Sequence, residues 1–106
     1  MSVLTEFSMF PTDKGSSVSA YVSRILDGID RSGVAYQLTP MGTVFETETL
    51  NEALDVIRQS YECIEKDCER VYVSVKMDIR QGQSGRMKKK IESVERKIGR
   101  PVRTGT

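Results

Sequence analysis

Apolar and polar positions along this chain change rhythm several times, and each change predicts an element. The run "VLTEFSMF", Val3 to Phe10, alternates loosely and stops at Pro11, as an opening strand does. A loop, "PTDKGSS", follows, with Ser16 or Ser17 placed to cap a helix. In that helix Val18, Val22, Ile25, Leu26 and Ile29 recur at helical spacing, and Ser19, Ser23, Arg24 and Asp27 fall outside the stripe. Gly33 supplies the left-handed residue that ends it. "VAYQL" and "TVFET" read as two short strands joined by a tight reversal through Thr39-Pro40-Met41-Gly42. Thr49 and Glu52 form a capping box, opening a helix with Ala53, Leu54, Ile57, Tyr61, Ile64 and Cys68 along one side. "RVYVSVKMDIR" has the cleanest alternation. Val71, Val73, Val75, Met77 and Ile79 face one way, towards a core, and Tyr72, Ser74, Lys76, Asp78 and Arg80 the other. "QGQSG" breaks the strand, and a last helix from about Arg86 to Ile98 carries an apolar seam of Met87, Ile91, Val94 and Ile98.

The order is β-α-β-β-α-β plus a terminal helix. With right-handed crossovers it predicts an α+β, ferredoxin-like sandwich: a four-stranded antiparallel sheet with two helices on one face. Residues 1–98 make a single domain, and 99–106 a disordered tail. The sheet's other face is expected to show Leu4, Glu6, Ser8 and Phe10 beside Tyr72, Ser74, Lys76, Asp78 and Arg80. That mixture suits neither bare solvent nor a dry core; it suits a subunit interface with polar pockets.

Composition narrows the function. A net charge of +1 with 29% charged residues gives no global field towards nucleic acid or membrane. Histidine is absent, which removes the commonest general base and metal ligand. Cys63 and Cys68 form no CxxC pair and are expected as reduced thiols. With no signal peptide and no membrane-length apolar run, the expected location is cytoplasmic.

The stretches "GSSVSAYVSRILDGIDRSGVAYQLTPMGTVFE", "RVYVSVKMDIR" and "KIESVERKIG", in that order, resemble the small thiamine-binding domain family. The resemblance implies a homotetramer, a dimer of dimers assembled through the sheets. It also implies a site for thiamine or its pyrimidine moiety, as bound ligand rather than catalytic cofactor. The chain departs from the family pattern at Thr47, where glycine is frequent, at Tyr61-Glu62, where a His-Glu pair is frequent, and at "KDCE", which replaces a helix-ending glycine.

Thiamine presents a fixed cation, an aminopyrimidine edge and two flat apolar faces. A pocket for it needs a carboxylate, one or two hydroxyls or backbone groups, and an aromatic or methionine wall. Glu46 is the candidate for the amino group or the cation, and Thr43 for the pyrimidine edge. Tyr36 or Phe45 is the candidate for stacking, and Gly42 for close backbone approach. Each also has an ordinary reading as strand end, turn or core. Ser16, Ser17 and Ser19, with Lys14 beside them, suit a cap or an anion such as sulfate, and Asp78 and Arg80 suit a cross-subunit ion pair or a ligand contact. The lysine run Lys88 to Lys90 spreads around a helix, and no RNA-recognition aromatic motif is present, so no nucleic-acid partner is expected. An acylphosphatase would need an arginine in the first loop, where Lys14 stands, so no enzymatic activity is expected. The expected function is non-catalytic binding of thiamine or hydroxymethyl-pyrimidine; the alternative is an oligomeric scaffold or regulator that binds an inorganic anion.

Overall fold

A computed structural model describes residues 1–82 and 84–104; Gln83 of the "QGQSG" break and Gly105 and Thr106 of the expected tail lie outside them. The elements are β1 (Ser2–Pro11), α1 (Ser19–Ser32), β2 (Ala35–Thr39), β3 (Gly42–Thr47), α2 (Leu50–Glu62), β4 (Val71–Arg80) and α3 (Arg86–Ile98), with a 3-10 turn at Glu65–Asp67. The strands form one antiparallel sheet in the order β2-β3-β1-β4, the expected ferredoxin-like topology.

Register follows the alternation read from the sequence. Val3 pairs with Thr47 and Ile79, Thr5 with Phe45 and Met77, and Phe7 with Thr43 and Val75, so these side chains share the helix-covered face. There Phe7 meets Phe45 edge to face, with ring centroids 5.6 Å apart, and Ile25, Ile29, Ala53, Val56 and Ile64 close the core from α1 and α2. Two terminal signals act as expected. Thr49 Oγ1 accepts the Glu52 amide at 3.1 Å, and Gly33 turns left-handed with φ 79° to end α1.

Three local expectations are corrected. Neither Ser16 nor Ser17 caps α1; the helix begins after Val18, and no side chain bonds its first turn. Val18 is partly buried against the core side, so apolar anchoring sets the start of the helix here. In α2 the buried stripe is Ala53, Val56 and Ser60, whereas Leu54 and Tyr61 are exposed. The helix is rotated so that Cys63 can fit against Gly28 of α1, where a Cβ would lie only 3.1 Å from the sulfur. Finally, β4 is an edge strand that α2 leaves uncovered. Val73, Val75 and Ile79, expected in the core, are 40%, 40% and 47% exposed.

The opposite face carries Leu4, Glu6, Ser8 and Phe10 opposite Asp78, Lys76, Ser74 and Tyr72, as the alternation requires. One end of it is closed by α3, whose Arg86 reaches Ser2 and Asp78. Gln37, also on this face, donates to the Thr104 carbonyl. At the other end Phe10 and Tyr72 lie side by side, with centroids 5.8 Å apart.

Candidate functional site

The reversal between β2 and β3 is held by one threonine. Thr39 Oγ1 accepts the Met41 amide at 3.2 Å and donates to the Gly42 carbonyl at 2.9 Å, which fixes Pro40-Met41 as the turn. Gly42 then passes so close to β1 that a Cβ would stand 2.7 Å from the Phe7 carbonyl oxygen; only glycine fits. Between this hairpin and the start of α1 lies a cavity of about 410 Å³. Phe7, Met9 and Phe10 of β1, Val18, Val22, Ile25 and Leu26 on the α1 side, and Leu38 to Thr43 of the hairpin line it. The polar pockets were expected on the open sheet face. This cavity is instead on the helix side, because Thr43 shares the face of Phe7.

Of the residues singled out in the sequence, Gly42 and Thr43 line this cavity. Ser17 and Ser19 flank its wall residue Val18 and are themselves exposed. Tyr36 points under the helices and donates its hydroxyl to Asp30 at 2.8 Å; that bond raises the phenol pKa above its ordinary value.

Glu46 and Asp78 belong to a separate cluster on the other side of the sheet. Glu46 Oε2 accepts the Ser2 hydroxyl at 2.5 Å and the Arg86 amide at 3.0 Å, and its Oε1 accepts the Met87 amide at 3.2 Å. The carboxylate therefore caps the start of α3, where backbone N–H groups have no helical partner. Burial works to raise its pKa. The Ser2 hydroxyl, the two amides and the Arg86 charge outweigh that and hold it below the ordinary glutamate value. Arg86 is buried: its Nε donates to Ser2 Oγ at 3.1 Å and its Nη1 to Asp78 Oδ2 at 2.8 Å. Sequence reasoning gave Arg86 no role. A cation at the first position of a helix opposes the helix dipole, and that misfit was the available signal.

Beside this cluster a wider cleft of about 530 Å³ is bordered by Glu46, Glu48, Glu52 and Asp55 together with Val34, Ala35 and Gly85. Glu52 receives the Thr49 hydroxyl at 2.9 Å, and Asp55 pairs with Arg58 at 3.1 Å. Among the described residues no group of three or more His, Cys, Asp or Glu could hold a metal ion, and no helix is long and apolar enough to cross a membrane.

A family model described as thiamine-binding protein matches residues 5–95. The chain belongs to this family. A UPF0045 protein of Mycobacterium bovis is 34% identical over 101 residues, covering 95% of this chain and 99% of the relative. A UPF0045 protein of Methanothermobacter thermautotrophicus is 30% identical over 98 residues, covering 91% of this chain and 99% of that protein. In structure, a hypothetical protein of Methanocaldococcus jannaschii superposes with a TM-score of 0.78 at 29% identity, over 88% of this chain and 95% of its own. A Thermotoga maritima protein, provisionally assigned to thiamine biosynthesis or salvage, gives a TM-score of 0.76 at 18% identity, over 89% of this chain and 99% of its own; it bears on the fold alone. The stretch "TPMGT", quoted for the family resemblance, is the one that lines the hairpin cavity.

Proposed function

We propose that the chain binds thiamine or its hydroxymethyl-pyrimidine moiety in the hairpin cavity, without catalysing a reaction. Family membership supports the class of ligand, and one observation carries the location. The stretch Thr39 to Thr43 closes an apolar cavity of about 410 Å³, within the ~300–1,000 Å³ usual for small-molecule sites. Phe7, Phe10 and Met9 offer apolar walls for a flat ring, Thr43 offers a hydroxyl for its polar edge, and the hairpin backbone runs alongside. Ser17 and Ser19 stand at the rim, where a hydroxyl or phosphate tail of the ligand would emerge.

The same reading includes assembly as a homotetramer, a dimer of dimers, in the cytoplasm, with neither nucleic acid nor membrane as partner. Its support is the family resemblance and the mixed polar and apolar character of the open sheet face.

Calorimetry with thiamine, thiamine phosphates and hydroxymethyl-pyrimidine tests the ligand. Thr43→Val, which keeps the shape and removes the hydroxyl, weakens binding by about tenfold, the worth of one buried hydrogen bond. Glu48→Gln, in the acidic cleft, leaves binding unchanged. The reverse pattern would move the site to the acidic cleft, whose carboxylates suit the thiazolium cation. The second reading rests on α1, which starts without a side-chain cap and with Lys14 nearby. Stabilisation by sulfate but by no thiamine compound, lost in Lys14→Ala, favours the anion binder.

A further inference from the structure

The strand order leaves two sheet edges, and they differ in kind. The β2 edge is five residues long and ends at Pro40. The β4 edge is ten residues long and contains no proline, and its pairing with β1 runs unbroken from Ser2↔Arg80 to Pro11↔Val71, with no bulge. A long, flat, uninterrupted edge offers a full row of backbone donors and acceptors to another strand. This edge is also apolar. On the helix side of β4, Val73, Val75 and Ile79 are 40%, 40% and 47% exposed.

The adjacent helix continues that surface. On α2, Val56, Gln59, Ser60 and Cys63 border the small space shared with α1, so this flank of the helix faces its neighbour. Leu50, Leu54, Ile57 and Tyr61 recur at spacings of four, three and four on the other flank, the side towards β4. Leu50, Leu54 and Tyr61 are 38%, 49% and 39% exposed. Together they wall a groove whose floor is the uncovered side of β4.

We propose that a second copy of this chain fills this groove by pairing its own β4 antiparallel to the first, in one register with the two-fold axis at Met77. The choice of occupant and register comes from charge. Two-fold antiparallel pairing sets side chains of the same face opposite one another. With the axis at Met77, Lys76 lies opposite the partner's Asp78, twice. Shifting the axis by one residue sets Lys76 against Lys76 of the partner subunit, or Asp78 against Asp78 of the partner subunit, and like charges directly opposite are unfavourable. In the favoured register, existing contacts extend the pairing. Lys76 Nζ already holds Glu6 at 2.9 Å, and Asp78 holds Arg86 at 2.8 Å. The result is a row of alternating sign across the join, Glu6, Lys76, the partner's Asp78 and the partner's Arg86. On the other face Val75 lies opposite the partner's Ile79, which removes both from water. The sheet becomes eight strands long and loses its apolar edges.

The inference rests on the assembly part of the reading above and not on its ligand part. Light scattering on the full chain and disulfide trapping test it together, with Cys63→Ser and Cys68→Ala as background for the trapping. Met77→Cys cross-links into a dimer about tenfold faster than Val75→Cys, Lys76→Cys or Asp78→Cys, because only position 77 meets its own copy within disulfide reach. Lys76→Glu, at an exposed position, weakens self-association about tenfold. An oligomer whose trapping is fastest elsewhere, or that tolerates Lys76→Glu, overturns the edge pairing and leaves assembly standing. A monomer at tens of micromolar overturns both.

Discussion

Replacing Glu46 by glutamine tests whether this carboxylate holds the last helix against the sheet. The carboxylate accepts three hydrogen bonds, from the Ser2 hydroxyl and from the Arg86 and Met87 amides that open α3. Glutamine keeps the shape but has one acceptor oxygen, so its NH₂ must face either Met87 N–H or the Ser2 and Arg86 donors. At least one bond to a charged acceptor is lost, and the first-turn amides lose their compensating charge. Such bonds contribute roughly 1.5–3 kcal/mol each, and because Glu46 is only partly buried the lower end applies, giving about 2 kcal/mol in total. For a chain of this size that lowers Tm by roughly 8 °C.

The pH dependence supplies an independent check on the same substitution. The folded state depresses the Glu46 pKa, so its contribution is fully present above the ordinary glutamate value and is lost as pH falls through the folded pKa. The stability gap between wild type and Glu46→Gln should therefore be widest near neutrality and should close below about pH 4, where both side chains are uncharged. Urea unfolding followed by circular dichroism, at one fixed protein concentration, measures the gap at each pH. A gap under about 0.5 kcal/mol at pH 7, or one unchanged in acid, would refute the anchoring role.

Other substitutions probe the fold at single atoms. Thr5 is fully buried and its hydroxyl has no hydrogen-bond partner, so Thr5→Val should stabilise by about 1 kcal/mol in urea unfolding; a loss of stability would mean the hydroxyl is satisfied. Gly42→Ala sets a methyl 2.7 Å from the Phe7 carbonyl, a backbone atom that cannot swing away, and should destabilise by about 2–3 kcal/mol in thermal melts, whereas a neutral result would place the hairpin further from β1. In α1, Gly28→Ala gains helix propensity but meets the Cys63 sulfur at 3.1 Å. Alone it should be close to neutral, and in a Cys63→Ala background it should stabilise by about 1 kcal/mol, so strict additivity of the two changes would sink the contact.

Much of the fold was legible because its signals are local. Thr49 and Glu52 sit three residues apart and meet each other, Gly33 closes α1 by its own backbone angle, and Thr39 to Gly42 turn within four residues. Burial was less legible, because periodicity shows which residues share a face and not which neighbour arrives to cover it. Both Leu54 and Val56 of α2 are apolar. The close approach of Gly28 to Cys63, across two helices, turns Val56 inward and leaves Leu54 out. The same limit explains β4. Its Val73, Val75 and Ile79 alternate as a core face does, yet the last strand of this topology lies at the sheet edge, beyond the reach of α2.

The site divides along a line that the sequence also contained. Thr43 and Glu46 are three residues apart on one strand, and side chains alternate sides with each residue. An odd separation puts them on opposite faces. Thr43 stands opposite Phe7 under the helices, while Glu46 stands opposite Leu4 on the open face. One copy of the sheet therefore cannot aim both at one small molecule. A guest bound at Thr43 must find its counter-charge elsewhere, at the rim formed by the start of α1 or from solvent, while Glu46 is free to serve Arg86. What periodicity could not show was Arg86 itself, forty positions along the chain from Glu46, whose amide and guanidinium make the carboxylate structural. The hairpin is legible because three adjacent residues build it; the anchor was not, because it needs a helix from the far end of the chain to arrive with its positive charge inward.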